Sequence, residues 1–128
     1  MSESVEPGTV VSIDADRPGY LKPSREPYDR RLAGVISGAN GLSVGAVLGQ
    51  GTSEPGAEAV AMSGRVWTLC DATERAIEPG DLLTTSARAG HAMKATERSR
   101  SHGAVLGKAM SRLARGQTGY VLVLVNLQ

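Results

Sequence analysis

The chain has 128 residues, of which 41% are hydrophobic, and its 14 basic and 13 acidic residues leave a formal net charge of +1. This length suits a single domain that buries most of its apolar surface, and the hydrophobic share argues against disorder throughout. The balanced charge predicts no nucleic-acid partner, and no segment approaches the roughly 20 apolar residues that a membrane span requires.

The residue types favour short strands and turns. There are 16 Gly and 6 Pro but no Phe, one Trp and three Tyr, so we expect a core of aliphatic side chains. The single cysteine, Cys70, excludes an intramolecular disulfide and a cysteine-based metal cage. It lies in the apolar run 66–70, which predicts a buried, inert thiol rather than a nucleophile.

The predicted elements are strands that follow turn signals along the chain. Glu6-Pro7-Gly8 is typical of a turn, because Pro presets φ and Gly accepts positive φ, and the aliphatic run after it suits a strand. Asn40-Gly41 predicts a hairpin turn, and the polar stretch 50–57 predicts a surface loop. One helical turn each is expected within 26–32 and 97–102. The predicted strands lie near 8–13, 19–22, 32–37, 45–49, 58–63, 65–70, 81–85, 91–94, 103–109 and 118–125.

An internal repeat is the strongest pattern in the chain. Four blocks recur in the same order, pairing 5–12 with 77–84, 19–22 with 90–94, 34–39 with 104–109, and 63–69 with 118–124. A competing alignment exists, because Gly45–Gly49 is identical to Gly103–Gly107. We therefore predict an all-β fold with few or no helices: one domain over 1–128, a small barrel or β-clip-like structure of two duplicated units, about 5–70 and 77–125.

The last predicted strand is apolar on both alternating faces over 120–125, so both faces need cover. Two arrangements supply it. Either the strand crosses the middle of a compact barrel, or a neighbouring subunit covers one face.

The candidate binding site is the segment 24–31. Tyr28, Asp29, Arg30 and Arg25 combine an aromatic ring, a carboxylate and guanidinium groups, which suit a sugar or a partner's carboxylate. The alternative is structural, because the same side chains can hold the loop or a subunit boundary.

Few other side chains are candidates for metal binding or catalysis. None of them matches a known ligand or catalytic spacing, so no metal, cofactor or catalytic residue is predicted. The pairs that we considered are His91 and His102 for a metal, Asp14 and Asp16 for calcium or acid–base work, and Lys22 with Ser24 or Lys94 with Thr96 for self-cleavage.

A family resemblance lies in Val5–Asp14, Ser24–Gly38, Ile77–Ala95 and the closing Val-Leu-Val run. These segments resemble a C-terminal domain of bacterial and phage-related surface proteins and are similar to modules of tail-fibre and tail-spike proteins. The turn Pro-Gly-Asp/Thr-aliphatic, followed by a Gly-x-x-x-Lys strand, resembles the β-clip fold of SAF-type domains. The resemblance implies a trimeric β-rich tip or cap of a fibre, used for assembly, rigidity or receptor contact.

Three functions remain after these observations. The first is a non-catalytic structural or interaction domain, a homotrimer of a phage-derived or cell-surface fibre that contacts a receptor or glycan. The second is a carbohydrate- or small-ligand-binding β module, which an exposed Trp67 in a cleft would favour. The third is an enzyme, either self-cleaving or acting on a sugar acid. Residues 1–4 carry no signal-peptide pattern, so a virion or extracellular location would require another route.

Overall fold

The computed structural model describes residues 6–37 and 60–128, and this part of the chain is almost entirely β-structure. This confirms the predicted all-β class. Every predicted strand within the described residues is present, with ends that differ by up to two residues. The elements are β1 (Val10–Ile13), β2 (Leu21–Pro23), β3 (Leu32–Ile36), β4 (Val60–Ala61), β5 (Ser63–Asp71), β6 (Leu82–Thr85), β7 (Ala92–Lys94), α1 (Arg98–Ser101), β8 (Val105–Ala109) and β9 (Thr118–Asn126).

Helical structure in the described residues is one short turn. The predicted turn within 97–102 is α1. The predicted turn within 26–32 is wrong, because Tyr28 has a positive φ of 54°, which no right-handed helix accepts. The predicted strand 45–49, the hairpin turn at Asn40-Gly41 and the loop 50–57 lie outside the described residues.

Two sheets make up the fold. The first has the strand order β2-β1-β3-β4, with every pairing antiparallel. The second closes into a barrel in the order β5-β7-β6-β8-β9, in which β5 and β7 are parallel and the other pairs are antiparallel. The β5–β9 ladder is the longest, running from Ser63 opposite Asn126 to Asp71 opposite Thr118.

The segments β1–β3 and β6–β8 share one pairing pattern. In each, the first strand pairs antiparallel with the other two, and its register with the third shifts after the second residue, Val11 or Leu83. The partner at that shift is Gly34, with φ 151°, or Gly107, with φ 158°. Glycine is needed there, since a Cβ on Gly34 would lie 2.5 Å from the carbonyl oxygen of Ala61.

The strands outside these segments do not repeat in this way. β3 pairs with the two-residue strand β4, whereas β8 pairs with the nine-residue strand β9. The other long strand, β5, pairs with β9 and belongs to the barrel. The duplication of the whole chain into two units, and its boundaries at about 5–70 and 77–125, stay predictions.

The core is aliphatic apart from the buried ring of Tyr28, and the sequence contains no Phe. Its larger cluster joins residues of the first sheet, such as Val10 and Val35, to barrel residues such as Leu83, Leu106 and Val123. A smaller cluster is formed by Val11, Ala33, Ile36 and Val60. The two sheets therefore share one hydrophobic interior.

The strand β9 alternates between core and surface. Val121, Val123 and Val125 are at most 2% exposed, whereas Tyr120 and Leu124 are 48% and 44% exposed. Of the two arrangements predicted for this strand, the compact barrel therefore applies to the valine face, which lies inside the barrel. The other face of β9 points outward and is only partly covered within the described chain.

Candidate functional site

A polar cleft of about 430 Å³ lies beside the barrel, where the loop between β2 and β3 meets the β7–α1 region. Pro27 and Tyr28 line it from the β2–β3 loop. The segment 71–75 after β5 and the turn 86–88 after β6 form further walls, and Thr96, Glu97 and Arg100 line it from the α1 side. Four parts of the chain that are distant in sequence thus meet at one site.

Tyr28 holds the α1 side of this cleft in place. Its side chain is 8% exposed, and its hydroxyl oxygen accepts hydrogen bonds from the backbone amides of Thr96 and Glu97, both at 2.9 Å. The guanidinium of Arg100 lies 4.6 Å from the centre of its ring. Burial raises the pKa of Tyr28, but the hydrogen bonds from Thr96 and Glu97 outweigh burial and leave the pKa below its ordinary value.

Asp71 organises the wall that follows β5. Its carboxylate accepts hydrogen bonds from the backbone amide and hydroxyl of Thr73, and it pairs with Arg88 at 3.4 Å. Burial raises the pKa of Asp71, yet the bonds from Thr73 and the charge of Arg88 together leave that pKa below its usual value. Asp71 is therefore charged at neutral pH and fixes two walls of the cleft relative to each other.

Basic groups outnumber acidic groups on the cleft walls. Lys94 lines the cleft and pairs with Asp81 at 3.6 Å, and Arg100 pairs with Glu97 at 3.3 Å. Arg75 makes no ion pair with any residue of 6–37 or 60–128. Its guanidinium is the free cation of the cleft walls among the described side chains.

Of the four side chains predicted to bind a ligand, one lies in this cleft, and the prediction that they bind stays a prediction. Tyr28 lines the cleft, whereas Asp29, Arg30 and Arg25 are absent from its walls. The carboxylate of Asp29 accepts the amide of Arg31, and its own amide donates to the hydroxyl of Thr85, so Asp29 shapes the loop. Arg25 and Arg30 are exposed.

Sequence reasoning missed Asp71, Arg75 and Arg88. They are separated from Tyr28 by more than 40 residues, and nothing in their spacing resembles a known site motif. One local signal was present: a polar run, Asp71-Ala72-Thr73-Glu74-Arg75, begins at the last residue of β5. Polar groups at a strand end often line a site.

A second surface feature is an apolar patch on the outer face of the β5–β9 ladder. Trp67 is 56% exposed and stands opposite the half-buried Leu122. Further along, Leu69 stands opposite Tyr120, and Arg65 stands opposite Leu124. We call the five apolar side chains the β5–β9 patch: Trp67, Leu69, Tyr120, Leu122 and Leu124.

The N-terminal segment borders this patch at Tyr120. The hydroxyl of Tyr120 donates to the carbonyl oxygen of Pro7 at 2.9 Å, and the amide of Leu69 donates to the carbonyl oxygen of Gly8 at 2.8 Å. A Cβ on Gly8 would lie 2.5 Å from the Tyr120 ring. The close packing against Gly8 fixes the ring of Tyr120 on the surface.

The remaining candidates acquire no ligand-binding arrangement in the described chain. The hydroxyl of Ser24 is fully buried and has no hydrogen-bond partner among residues 6–37 and 60–128, and Lys22 is exposed. Asp14 accepts the amide of Asp16, which closes a local turn. The ring of His91 contacts the carbonyl oxygen of Ala89. Residues 6–37 and 60–128 hold no group of three or more His, Cys, Asp or Glu side chains placed to bind a metal.

Cys70 is buried with an exposure of 0%. Burial raises the pKa of its thiol to about 12, so the group is uncharged at neutral pH. A neutral, enclosed thiol is a poor nucleophile, which agrees with the inert role expected from its apolar neighbours in the sequence.

Comparisons with family models, curated proteins and solved structures give no match to this chain. Within the described residues, no helix is long and apolar enough to cross a membrane. The cleft and the β5–β9 patch are the features of the described chain that bear on its function.

Proposed function

We propose that this chain is a non-catalytic structural and interaction domain that self-associates as a homotrimer. It serves as the tip or an assembly module of a phage-derived or cell-surface fibre. The observation that carries the proposal is the β5–β9 patch, in which Trp67, Tyr120 and Leu124 are each between 44% and 56% exposed.

The physical basis is the cost of leaving apolar side chains in water. Burying apolar surface stabilises a complex by about 25 cal/mol per Å² before the costs of association are subtracted. A cluster of aromatic and leucine side chains on one sheet face is typical of protein–protein contact surfaces, whereas a single exposed apolar residue is ordinary. The patch lies on a two-stranded ladder of nine residue pairs, which is a rigid platform.

The trimeric state and the fibre rest on the sequence resemblance. The resemblance implies three chains around one axis, and a closed symmetric assembly buries the same patch on each copy. Among the exposed large apolar side chains, Ile13 on the first sheet lies outside the patch and provides a matched control.

The test is the mass in solution, measured by size exclusion coupled to light scattering. We expect a wild-type mass near three times 13.3 kDa. Leu124→Glu should give a folded monomer, because it places a charge in the apolar contact, and Ile13→Glu should remain trimeric. A monomeric wild type, or equal masses for both variants, would overturn the proposal.

A carbohydrate-binding module is the second candidate, and the exposure of Trp67 favours it. An exposed indole ring supplies a flat apolar face against which a sugar ring can pack. Trp67 does not line the polar cleft, so the sugar would lie on the open sheet face. Because Trp67 is the single tryptophan, its fluorescence reports on this contact alone. Saturable quenching by neutral oligosaccharides would support this candidate, provided that binding measured by calorimetry is lost in Trp67→Leu, and no change in emission would rule it out.

A further inference from the structure

Two basic side chains flank the β5–β9 patch at its Leu124 end. Arg65 on β5 and Lys108 on β8 both stand opposite Leu124, and Leu82 on β6 stands opposite Lys108. All four side chains are exposed. Because directly paired residues of neighbouring strands share one face of a sheet, this end of the patch is both apolar and positively charged.

The charges of Arg65 and Lys108 are not neutralised within the described chain. Neither side chain makes an ion pair with a residue of 6–37 or 60–128. Burying a cation without a counter-charge is costly. A surface that covers Leu124 must therefore also bring a carboxylate to the two cations.

The opposite end of the patch carries the opposite charge. Glu6 is exposed and makes no ion pair with the rest of the described chain. It directly precedes Pro7, whose carbonyl oxygen accepts the hydroxyl of Tyr120 at 2.9 Å. Tyr120 and Leu124 lie about 13 Å apart along β9, at a rise of about 3.3 Å per residue. The patch is thus basic at its Leu124 end and acidic at its Tyr120 end.

We propose that copies of this chain associate head to tail through the β5–β9 patch, with Arg65 and Lys108 of one copy contacting Glu6 of the next. The arrangement rests on the self-association proposed above and specifies its geometry. Each copy offers one basic and one acidic end, so three identical contacts close into a ring. Each contact supplies the missing carboxylate and buries Leu124.

Charge complementarity distinguishes this arrangement from one in which the β5–β9 ladder runs along the threefold axis. A rotation axis holds equivalent atoms of the three copies at the same height. A ladder along the axis would therefore bring the three Arg65 side chains together, and like charges at short distance repel each other. A ladder that lies across the axis brings opposite ends together instead.

The experiment reverses the charge at each end and measures the protein concentration at which half of the full chain is assembled, by analytical ultracentrifugation. Arg65→Glu with Lys108→Glu should raise this concentration roughly tenfold or more, because it sets carboxylates against Glu6 of the next copy. Glu6→Arg should have an effect of similar size. The triple variant restores opposite charges across the contact and should return to within about threefold of the wild-type value.

The matched control is Arg17→Glu with Lys22→Glu, which changes the net charge equally on exposed side chains of the first sheet and its β1–β2 turn. It should leave the assembly unchanged. A monomeric wild type would overturn both self-association and the head-to-tail contact. A trimeric wild type that neither reversal weakens, that the control weakens equally, or that the triple variant fails to restore would overturn the head-to-tail contact alone.

Discussion

Tyr28 shows how a residue that looks like a binding contact in the sequence acquires a structural task. Its backbone adopts a positive φ of 54°, which is uncommon for a bulky residue and is held by the contacts around it. Its ring is buried and its hydroxyl satisfies two amides that begin the segment around α1. The loop from β2 to β3 is thereby tied to the end of β7, and the cleft depends on that tie.

The first prediction concerns the free energy of unfolding of Tyr28→Phe. The variant keeps the ring but leaves the amides of Thr96 and Glu97 without their acceptor, so we expect a loss of about 1–2 kcal/mol. Tyr120→Phe is the control, because its hydroxyl makes a single bond on the surface that water replaces, at a cost of about 0.5 kcal/mol. Urea denaturation measures both. Equal losses for the two variants would contradict the role assigned to Tyr28.

The strand β9 illustrates the element scale. In the sequence both of its faces are apolar, and no periodicity distinguishes the inner face from the outer one. Pairing with β8 and β5 decides the matter by turning Val121, Val123 and Val125 into the barrel and Tyr120, Leu122 and Leu124 outward. Adjacent residues of one strand therefore have opposite environments.

The second prediction uses two neighbours on β9. Val123→Glu should give unfolded, insoluble protein, because it places a carboxylate in the core without a partner, at a cost of several kcal/mol. Leu124→Glu should keep the circular dichroism spectrum and the cooperative melting of a folded β protein, since its side chain is 44% exposed. A folded Val123→Glu chain would mean that the valine face is not the interior of the monomer.

At the scale of the whole molecule, the two sheets are not independent. The larger core cluster combines first-sheet and barrel side chains, and backbone bonds such as that from the amide of Val10 to the carbonyl oxygen of Gly90 cross between them. Neither sheet closes its apolar face alone. We therefore expect the two sheets to unfold together, as in a single domain.

The corresponding prediction is one cooperative unfolding transition. Circular dichroism, which reports on all strands, and Trp67 fluorescence, which reports on β5, should give coincident denaturation curves. Val10→Ala should shift both curves equally, by about 2 kcal/mol for the methyl groups lost from the core. Ile13→Ala, at an exposed position on the same strand, should shift them by less than about 0.5 kcal/mol. Two separate transitions would divide the chain into two domains and contradict the prediction.

The strands were predictable because their signals are local. A Pro-Gly turn followed by an aliphatic run defines β1 and β6 within a dozen residues, and a turn that contains glycine precedes the aliphatic runs of β8 and β9. The helical turn expected within 26–32 was wrong because the bonds from Tyr28 and Asp29 to Thr85, on another strand, set the loop conformation. The local sequence pattern does not predict such long-range hydrogen bonds.

Of the residues that line the cleft, the sequence predicted only Tyr28 as a site residue. The role predicted for Tyr28 differs from the role that the structure shows. An aromatic side chain among charges suggested a contact with a ligand, whereas the structure buries the ring and brings Asp71, Arg75 and Arg88 beside it. Asp71 ends β5, Arg75 follows it, and Arg88 follows β6. Only the order of strands in the barrel places them next to the β2–β3 loop. Strand order depends on which apolar faces pack against each other, so no single segment of the sequence predicts it.

By itself the sequence determined the class of this protein: short strands, turns at Pro-Gly, an aliphatic interior without Phe, and a single cysteine that cannot form an internal disulfide. These follow from backbone preferences and hydrophobicity, which act over a few residues. Only the tertiary structure decided that β5 pairs with β9, that Trp67 faces outward, and that Arg75 lines the polar cleft beside Tyr28. Those features depend on contacts between residues far apart in the chain. Such contacts stabilise the fold only once the barrel has closed.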